Sequence, residues 1–378
     1  MTETIFSDAQ IVLEDEIIKG CVRVVDGEII DISKCSSSMG VDCEGDYLIP
    51  GLVELHTDHL ENHYNPRPGV TWNLTASIQA HDAQIAASGI TTVFDCLRLG
   101  TDTDKGFAPG EMRAMSRAIS EAQSAGRLRT EHRIHLRCEV SAPDVLERFE
   151  EFEDDDAVGL VSLMDHAPGQ RQFETMEHYT LYYKGKRGMS DDEFDRFCKM
   201  RIDQSSTYSA PHRAALANAC RERGIALASH DDAKVEHVAE SREYGTSVAE
   251  FPTTLTAAKA SHEAGMGVLM GAPNIVRGKS HSGNIAARDL ADAGVLDILS
   301  SDYVPFSLLQ APFILATANE NISLPHAIAM VTSNPARQVG LADRGSIQVG
   351  KRGDLVRVSA VDHVPIVRSV WREGNRVA

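Results

Sequence analysis

The chain has little that would brace it covalently or anchor it in a membrane. Its 378 residues include only seven cysteines, Cys21, Cys35, Cys43, Cys96, Cys138, Cys198 and Cys220, scattered, odd in number and never in a Cys-x-x-Cys pair. That pattern argues against a disulfide framework and a thiolate zinc site, and leaves the cysteines as small core residues. No apolar run approaches the roughly 20 residues of a membrane span. The start, Met1-Thr2-Glu3-Thr4, has neither the basic segment nor the apolar core of a signal peptide, so a cytoplasmic location is expected. Positive charge is scarce too: 37 Lys and Arg stand against 55 Asp and Glu, a net charge of -18. Such a chain is expected to bind neither nucleic acid nor membrane, although a locally basic cleft can still hold an anionic substrate. The acidic run from Glu150 to Asp156 reads as a solvated helix end or loop and receives no function.

What is present is apolar content of 42%, enough for a large core. The first 48 residues read as short strands at 10–13, 20–25 and 28–32, the last two joined by the turn pair Asp26-Gly27. The C-terminus repeats this texture at 345–350, 354–358 and 366–371. The two ends are expected to pair into a small β-sandwich domain, 1–48 plus 344–378. Between them, apolar strand-like runs at 52–56, 91–95, 134–139, 158–164, 225–229, 247–251, 267–271 and 296–300 alternate with helical segments. Eight such units over about 280 residues predict an α/β fold, a (β/α)8 TIM-like barrel spanning 49–343.

In such a barrel the C-terminal ends of the strands converge where sites are built. These ends carry His56, Asp58 and His59 after the first strand, then Asp95 and Arg98, Glu139, Asp165 and His166, His230 with Asp231 and Asp232, Glu250, Asn274, and finally Ser301 and Asp302. On a strand, side chains two apart share a face, so His56 and Asp58 can address one ion, whereas His59 reaches it only if the chain bends. Imidazole with carboxylate suits divalent zinc, manganese or iron. Any one of these residues alone would more often be an ordinary hydrogen-bonded core or loop residue; the repeated placement carries the reading.

With this arrangement the chain resembles the amidohydrolase superfamily. The blocks Glu54-Leu55-His56-Thr57-Asp58-His59-Leu60-Glu61, Pro66-Arg67-Pro68-Gly69-Val70 and Ser162-Leu163-Met164-Asp165-His166-Ala167-Pro168-Gly169-Gln170-Arg171-Gln172 resemble, more narrowly, the members that process phosphonate sugars in the carbon–phosphorus lyase pathway. The resemblance implies two divalent ions, with zinc first in order and manganese or iron as alternatives. His56 with Asp58 or His59 would hold one, and His166 with His230 the other. Glu139 would bridge, and Asp302 would touch both metal and water. The usual His-x-His is here His56-Thr57-Asp58, which leaves Asp58 and His59 as alternatives. No lysine ends a middle strand, so a carbamylated lysine bridge is disfavoured.

The implied reaction is hydrolysis of a ribose 5-triphosphate bearing a C1 methylphosphonate, giving the 5-phosphate and diphosphate. A metal-activated water would attack the α-phosphorus while Asp302 takes its proton. A phosphorylated sugar needs fixed positive charge, and Arg67, Arg171, Lys184, Arg277, Lys279 and His281 are the expected contacts, the last three in a Gly/Ser-rich loop after the seventh strand. Each of these, taken singly, also reads as a solvated surface residue. A homodimer is expected on general frequency. Two other readings stay open: a C–N hydrolase, either a deaminase or a cyclic amidase, and a binding subunit of a phosphonate-degrading assembly. The cationic loops argue against the first, because a neutral amide would not require them. A candidate base beside open carboxylates argues against the second, because structural metal sites tend to be closed.

Overall fold

Strands follow one another from the N-terminus as β1 (Glu3–Val12), β2 (Ile17–Val25), β3 (Glu28–Ser33), β4 (Val41–Asp42) and β5 (Tyr47–Pro50). They are succeeded by β6 (Leu52–Thr57), β7 (Ile90–Leu99), β8 (Glu131–Glu139), β9 (Val158–Met164), β10 (Ala226–His230), β11 (Val248–Glu250), β12 (Gly267–Gly271) and β13 (Ile298–Ser300). The chain ends in β14 (Leu355–Val361), β15 (Val364–Arg372) and β16 (Asn375–Arg376). The structure, a computed structural model, describes residues 2–34, 39–100, 110–171, 180, 189–279 and 284–378.

Strands β6 to β13 form one eight-stranded sheet in sequence order, with helices between successive strands. Its first and last strands meet through a parallel bridge from Thr57 to Asp302, so the sheet closes into a (β/α)8 barrel. Six of six residues in β6 are buried, as the continuous apolar run requires of a strand covered on both faces. Strand β7 runs on to Leu99, which places Asp95 and Arg98 inside the strand and not beyond its end. The apolar alternation in Val93-Phe94 continues through Cys96-Leu97, all buried, so nothing in the packing stops the strand at Asp95. By compactness the chain forms two units, Met1–Asp95 with Arg117–Arg133 and Met270–Ala378, and Cys96–Ser116 with Ile134–Leu269.

In the first unit the terminal strands make a separate mixed sheet, ordered β16-β15-β14-β5-β1-β2-β3 with β4 beside β1. Strand β5 pairs parallel to β1 and antiparallel to β14, which joins the two ends of the chain. Phe6, Ile11, Val22, Ile29, Leu48, Leu355 and Trp371 form its core, with Phe6 and Trp371 edge to face at 4.7 Å. Asp26 and Gly27 turn at φ 49° and 88°, the geometry that suits the twist of a two-residue hairpin. The segment 345–350 is not the expected strand. Gly345 lies at φ 85°, which ends any extended run, and Ile347 drops into the core while Gly350 N–H donates to Ile29 O.

In the second unit β8 to β11 pair in parallel. The helix Asp191–Arg223 presents Arg201, Ser205, Ser209 and Arg213 at four-residue intervals, all buried, which gives one of its faces a polar stripe. The acidic run is not wholly solvated: Asp155 is buried, pairing with Arg113 and accepting from the Ser116 hydroxyl. An ion pair and a hydroxyl supply what burial of that carboxylate demands. The six described cysteines are buried. Among the described residues no helix is long and apolar enough to cross a membrane.

Candidate functional site

The first unit organises its chemistry around the end of β6. Glu54 accepts the N–H of His56 at 2.6 Å and the N–H of Ser301, tying the end of β6 to that of β13. Burial pushes the Glu54 carboxyl up to about 8, with the Ser301 and His56 hydrogen bonds opposing. Asp302 N–H donates to His56 O at 3.1 Å, and Asp58 N–H donates to Asp302 O at 3.0 Å. These reciprocal bonds bring the backbone of His56, Asp58 and Asp302 together, although they come from opposite ends of the barrel sequence. Asp302 takes φ 55°, a left-handed conformation uncommon outside glycine that such a tight clasp stabilises.

The chain bends after Asp58 into the helix His59–Tyr64, and this carries His59 elsewhere. Its Nδ1 lies 3.3 Å from Nδ1 of His81, on the helix Leu74–Ala87. His81 Nε2 meets Asp95 Oδ1 at 2.7 Å, and His132 Nδ1 meets Asp95 Oδ2 at 2.7 Å. Asp82 lies behind His132 and accepts the N–H groups of Arg129 and Thr130. Burial opposes charge on His132, yet the Asp95 and Asp82 carboxylates push it up to about 9, which favours the protonated ring. His59 behaves oppositely: burial, with His81 and His63 nearby, lowers it to about 4 and keeps it neutral.

In the second unit Glu139 is the hub at the end of β8. Its carboxylate takes His166 Nδ1 at 2.6 Å, the His166 N–H at 3.1 Å, the Ser141 hydroxyl at 2.6 Å and the Arg201 guanidinium at 3.2 Å. Burial disfavours its charge, but His166 and Arg201 hold it well below the usual carboxylate range. Beside it, His166, His230 and Asp231 bring three ligand atoms within 4.8 Å of one another, all buried. His230 Nδ1 lies 2.7 Å from Asp231 Oδ2, and His166 Nε2 lies 3.7 Å from the same oxygen. Burial lowers the His230 pKa, which favours the neutral imidazole a metal needs. Two imidazoles and a carboxylate, oriented from behind by Glu139, fit a divalent ion of the zinc class.

Asp165 is spent on structure: its carboxylate accepts the Ser205 and Ser209 hydroxyls at 2.9 and 2.7 Å. Arg171, expected to face an anionic ligand, is buried, paired with Asp232 and 2.6 Å from Glu240. Arg67 is exposed in a turn closed by Val70 N–H to Arg67 O at 3.0 Å. The expected loop after the seventh strand begins as a helix, Ala272–Arg277, capped by Gly278 at φ 75°. Pro273 in its first turn is compatible with that start. Arg277 and Lys279 are exposed at its end. Lys184 and His281 lie outside the described residues. The reading from sequence missed His63, His81, Asp82, His132 and the stripe Arg201, Ser205, Ser209, Arg213. The local signals were the spacing of His59 and His63, one helical turn apart, and the four-residue interval of the stripe.

Comparison with known proteins was informative at two levels. The Amidohydrolase family matches residues 61–378. Alpha-D-ribose 1-methylphosphonate 5-triphosphate diphosphatase of Escherichia coli (strain K12) is 48% identical over 376 residues, covering 99% of this chain and 100% of that protein. Imidazolonepropionase of Streptomyces griseus is 25% identical over 409 residues, covering 96% and 93%. Among solved structures, the dihydropyrimidinase of Brevibacillus agri superposes with a TM-score of 0.62 at 14% identity, covering 99% of this chain and 95% of that one. N-acetylglucosamine-6-phosphate deacetylase of Thermotoga maritima gives 0.64 at 14%, covering 99% of each. At that identity the two structures speak for the fold alone.

Proposed function

The chain belongs to the amidohydrolase family, and from that premise we propose that it hydrolyses alpha-D-ribose 1-methylphosphonate 5-triphosphate to the 5-phosphate and diphosphate. The observation that carries this reading is the 48% identity with the Escherichia coli enzyme, which extends over essentially the whole of both chains.

We assign His56, Asp58 and Asp302 of the first unit to one zinc ion and His166 and His230 of the second to another; Glu139, expected to bridge, is engaged by His166, Ser141 and Arg201 and is assigned as the carboxylate that supports His166. Asp58 is preferred to His59 because His59 Nδ1 is turned toward His81. When bound, divalent ions supply Lewis acidity that activates water near neutral pH and neutralises phosphate oxygens. Asp302 accepts the proton of the attacking water at its carboxylate. The clasp between the Asp302 and His56–Asp58 backbones fixes the main chain from which that carboxylate projects. Arg67, Arg277 and Lys279, all exposed, supply positive charge for the triphosphate and phosphonate, while Arg171 positions the segment after His166 through its carboxylate partners. Lys184 and His281 remain proposed contacts. Residues 1–48 and 344–378 are assigned to the accessory β domain.

Phosphorus NMR of the metal-loaded protein with the methylphosphonate ribose 5-triphosphate tests the reading. Stoichiometric diphosphate, abolished by Asp302→Asn, is the expected result. Orthophosphate alone would move attack to the γ-phosphorus. No phosphorus product with metal bound, together with turnover of cyclic amides, would establish the C–N hydrolase instead.

A further inference from the structure

His59, His63 and His81 each bring a ring nitrogen within 4.8 Å of the other two. Two come from one face of the helix His59–Tyr64, four residues apart, and the third from the helix Leu74–Ala87. From this arrangement we infer a further metal site, a three-imidazole centre for a zinc-class ion that joins these two helices. It is independent of the reaction proposed above.

The spacing, which a ring-to-ring hydrogen bond also satisfies, fits two ligands of one ion. Two nitrogens bound tetrahedrally to zinc at about 2.0–2.1 Å lie roughly 3.3–3.4 Å apart. The Nδ1 atoms of His59 and His81 are 3.3 Å apart. His81 is oriented for the task. A carboxylate only accepts, so Asp95 at 2.7 Å places the proton on His81 Nε2 and leaves Nδ1 with a lone pair when the ring is neutral. Asp95 is itself held by His132 at 2.7 Å. A carboxylate behind a ligating imidazole is the usual support of a zinc ligand. On His63, Nε2 is buried and has no hydrogen-bond partner among the described residues, which gives the third imidazole an unfilled acceptor or donor position.

The donor set defines the ligand. Three imidazoles without a carboxylate favour zinc, copper or nickel over magnesium or calcium, which prefer oxygen. The three imidazoles would leave a fourth position of a tetrahedral ion for water. A bound ion would brace the stretch 65–73 that connects the helices and carries Arg67. That stretch is already pinned by Trp72 N–H to Tyr64 O at 2.7 Å and by the Ser77 hydroxyl to His63 O at 3.1 Å.

The full-length protein, stripped with chelator and titrated with zinc alone, provides the test, read by metal content after gel filtration and by melting temperature. The His63→Gln variant removes one ligand at a half-buried position, and His59→Asn removes a second. Each is expected to retain one zinc equivalent fewer than the parent and to lose part of the zinc-dependent rise in melting temperature. Asp302→Asn is expected to keep the equivalent that both histidine variants lose. Cobalt loaded in place of zinc should give an intense tetrahedral visible band that His63→Gln abolishes. Equal zinc content and the same cobalt spectrum in parent, His63→Gln and His59→Asn would overturn the inference. Neither readout requires turnover, so a failed phosphonate assay leaves this result standing on its own.

Discussion

Glu139 holds His166 twice, through the ring Nδ1 at 2.6 Å and the backbone N–H at 3.1 Å, so one carboxylate sets both the position of this residue and the direction of its ring. The imidazole is thereby turned with Nε2 toward Asp231. This is the geometry by which a hydrogen-bonded acid fixes the tautomer of a metal ligand.

Glu139→Gln keeps the shape but removes the charge. Metal affinity at the His166–His230 site is expected to fall about 10- to 100-fold. Competition with a chromophoric chelator measures it, and unchanged affinity would show that Glu139 serves packing alone.

The pair Arg277 and Lys279 is exposed and close in sequence, and neither has a structural task apparent among the described residues. Replacing both with alanine is expected to raise KM for the triphosphate about tenfold, equivalent to 1.4 kcal/mol, with a smaller effect on kcat. The salt dependence of kcat/KM should flatten as well. A KM that stays put would remove them from the substrate contacts.

Acid stability should depend on Glu131. Burial works against its charge, but Arg344 and Arg352 hold the carboxyl down to about 2. A carboxylate depressed below its ordinary value near 4.5 stabilises the fold above that pH, and the contribution is lost as pH falls toward 2. Glu131→Gln is therefore expected to cost on the order of 2–3 kcal/mol at neutral pH and little at pH 2. Denaturant unfolding at several pH values checks this, and a pH-independent loss would contradict it.

Gly20 is a steric requirement of the terminal sheet. A Cβ there would sit 2.1 Å from Ser33 O on the adjacent strand β3. Gly20→Ala is expected to destabilise by about 1–3 kcal/mol through displaced backbone, seen as a lower melting temperature. An unaltered melting temperature would show that β3 yields freely.

The strands were legible because their signals are local. Continuous apolar runs such as Val158–Met164 and Gly267–Gly271 mark strands covered on both faces, and a turn pair such as Asp26-Gly27 is specified by its own backbone preferences. By the same token, the run 345–350 looked like a strand because its apolar alternation is local, whereas the close approach of the Thr332 backbone, which leaves no room for a Cβ at Gly345, is not. His56, Asp58 and Asp302 were recognisable as chemistry at strand ends. The sequence alone therefore determined the barrel, the terminal strands and the residue types available to a metal. It left Asp58 and His59 as alternatives, and the preference proposed for Asp58 rests on the bend into the helix His59–Tyr64 and on His81, 22 residues away. Only the tertiary structure joined His81, Asp95 and His132, withdrew Arg171 to Asp232 and Glu240, and lined Ser205 and Ser209 against Asp165. The physical reason is that a buried polar group must find its partner wherever the fold places one, and that partner is set by three-dimensional proximity, which no local pattern encodes.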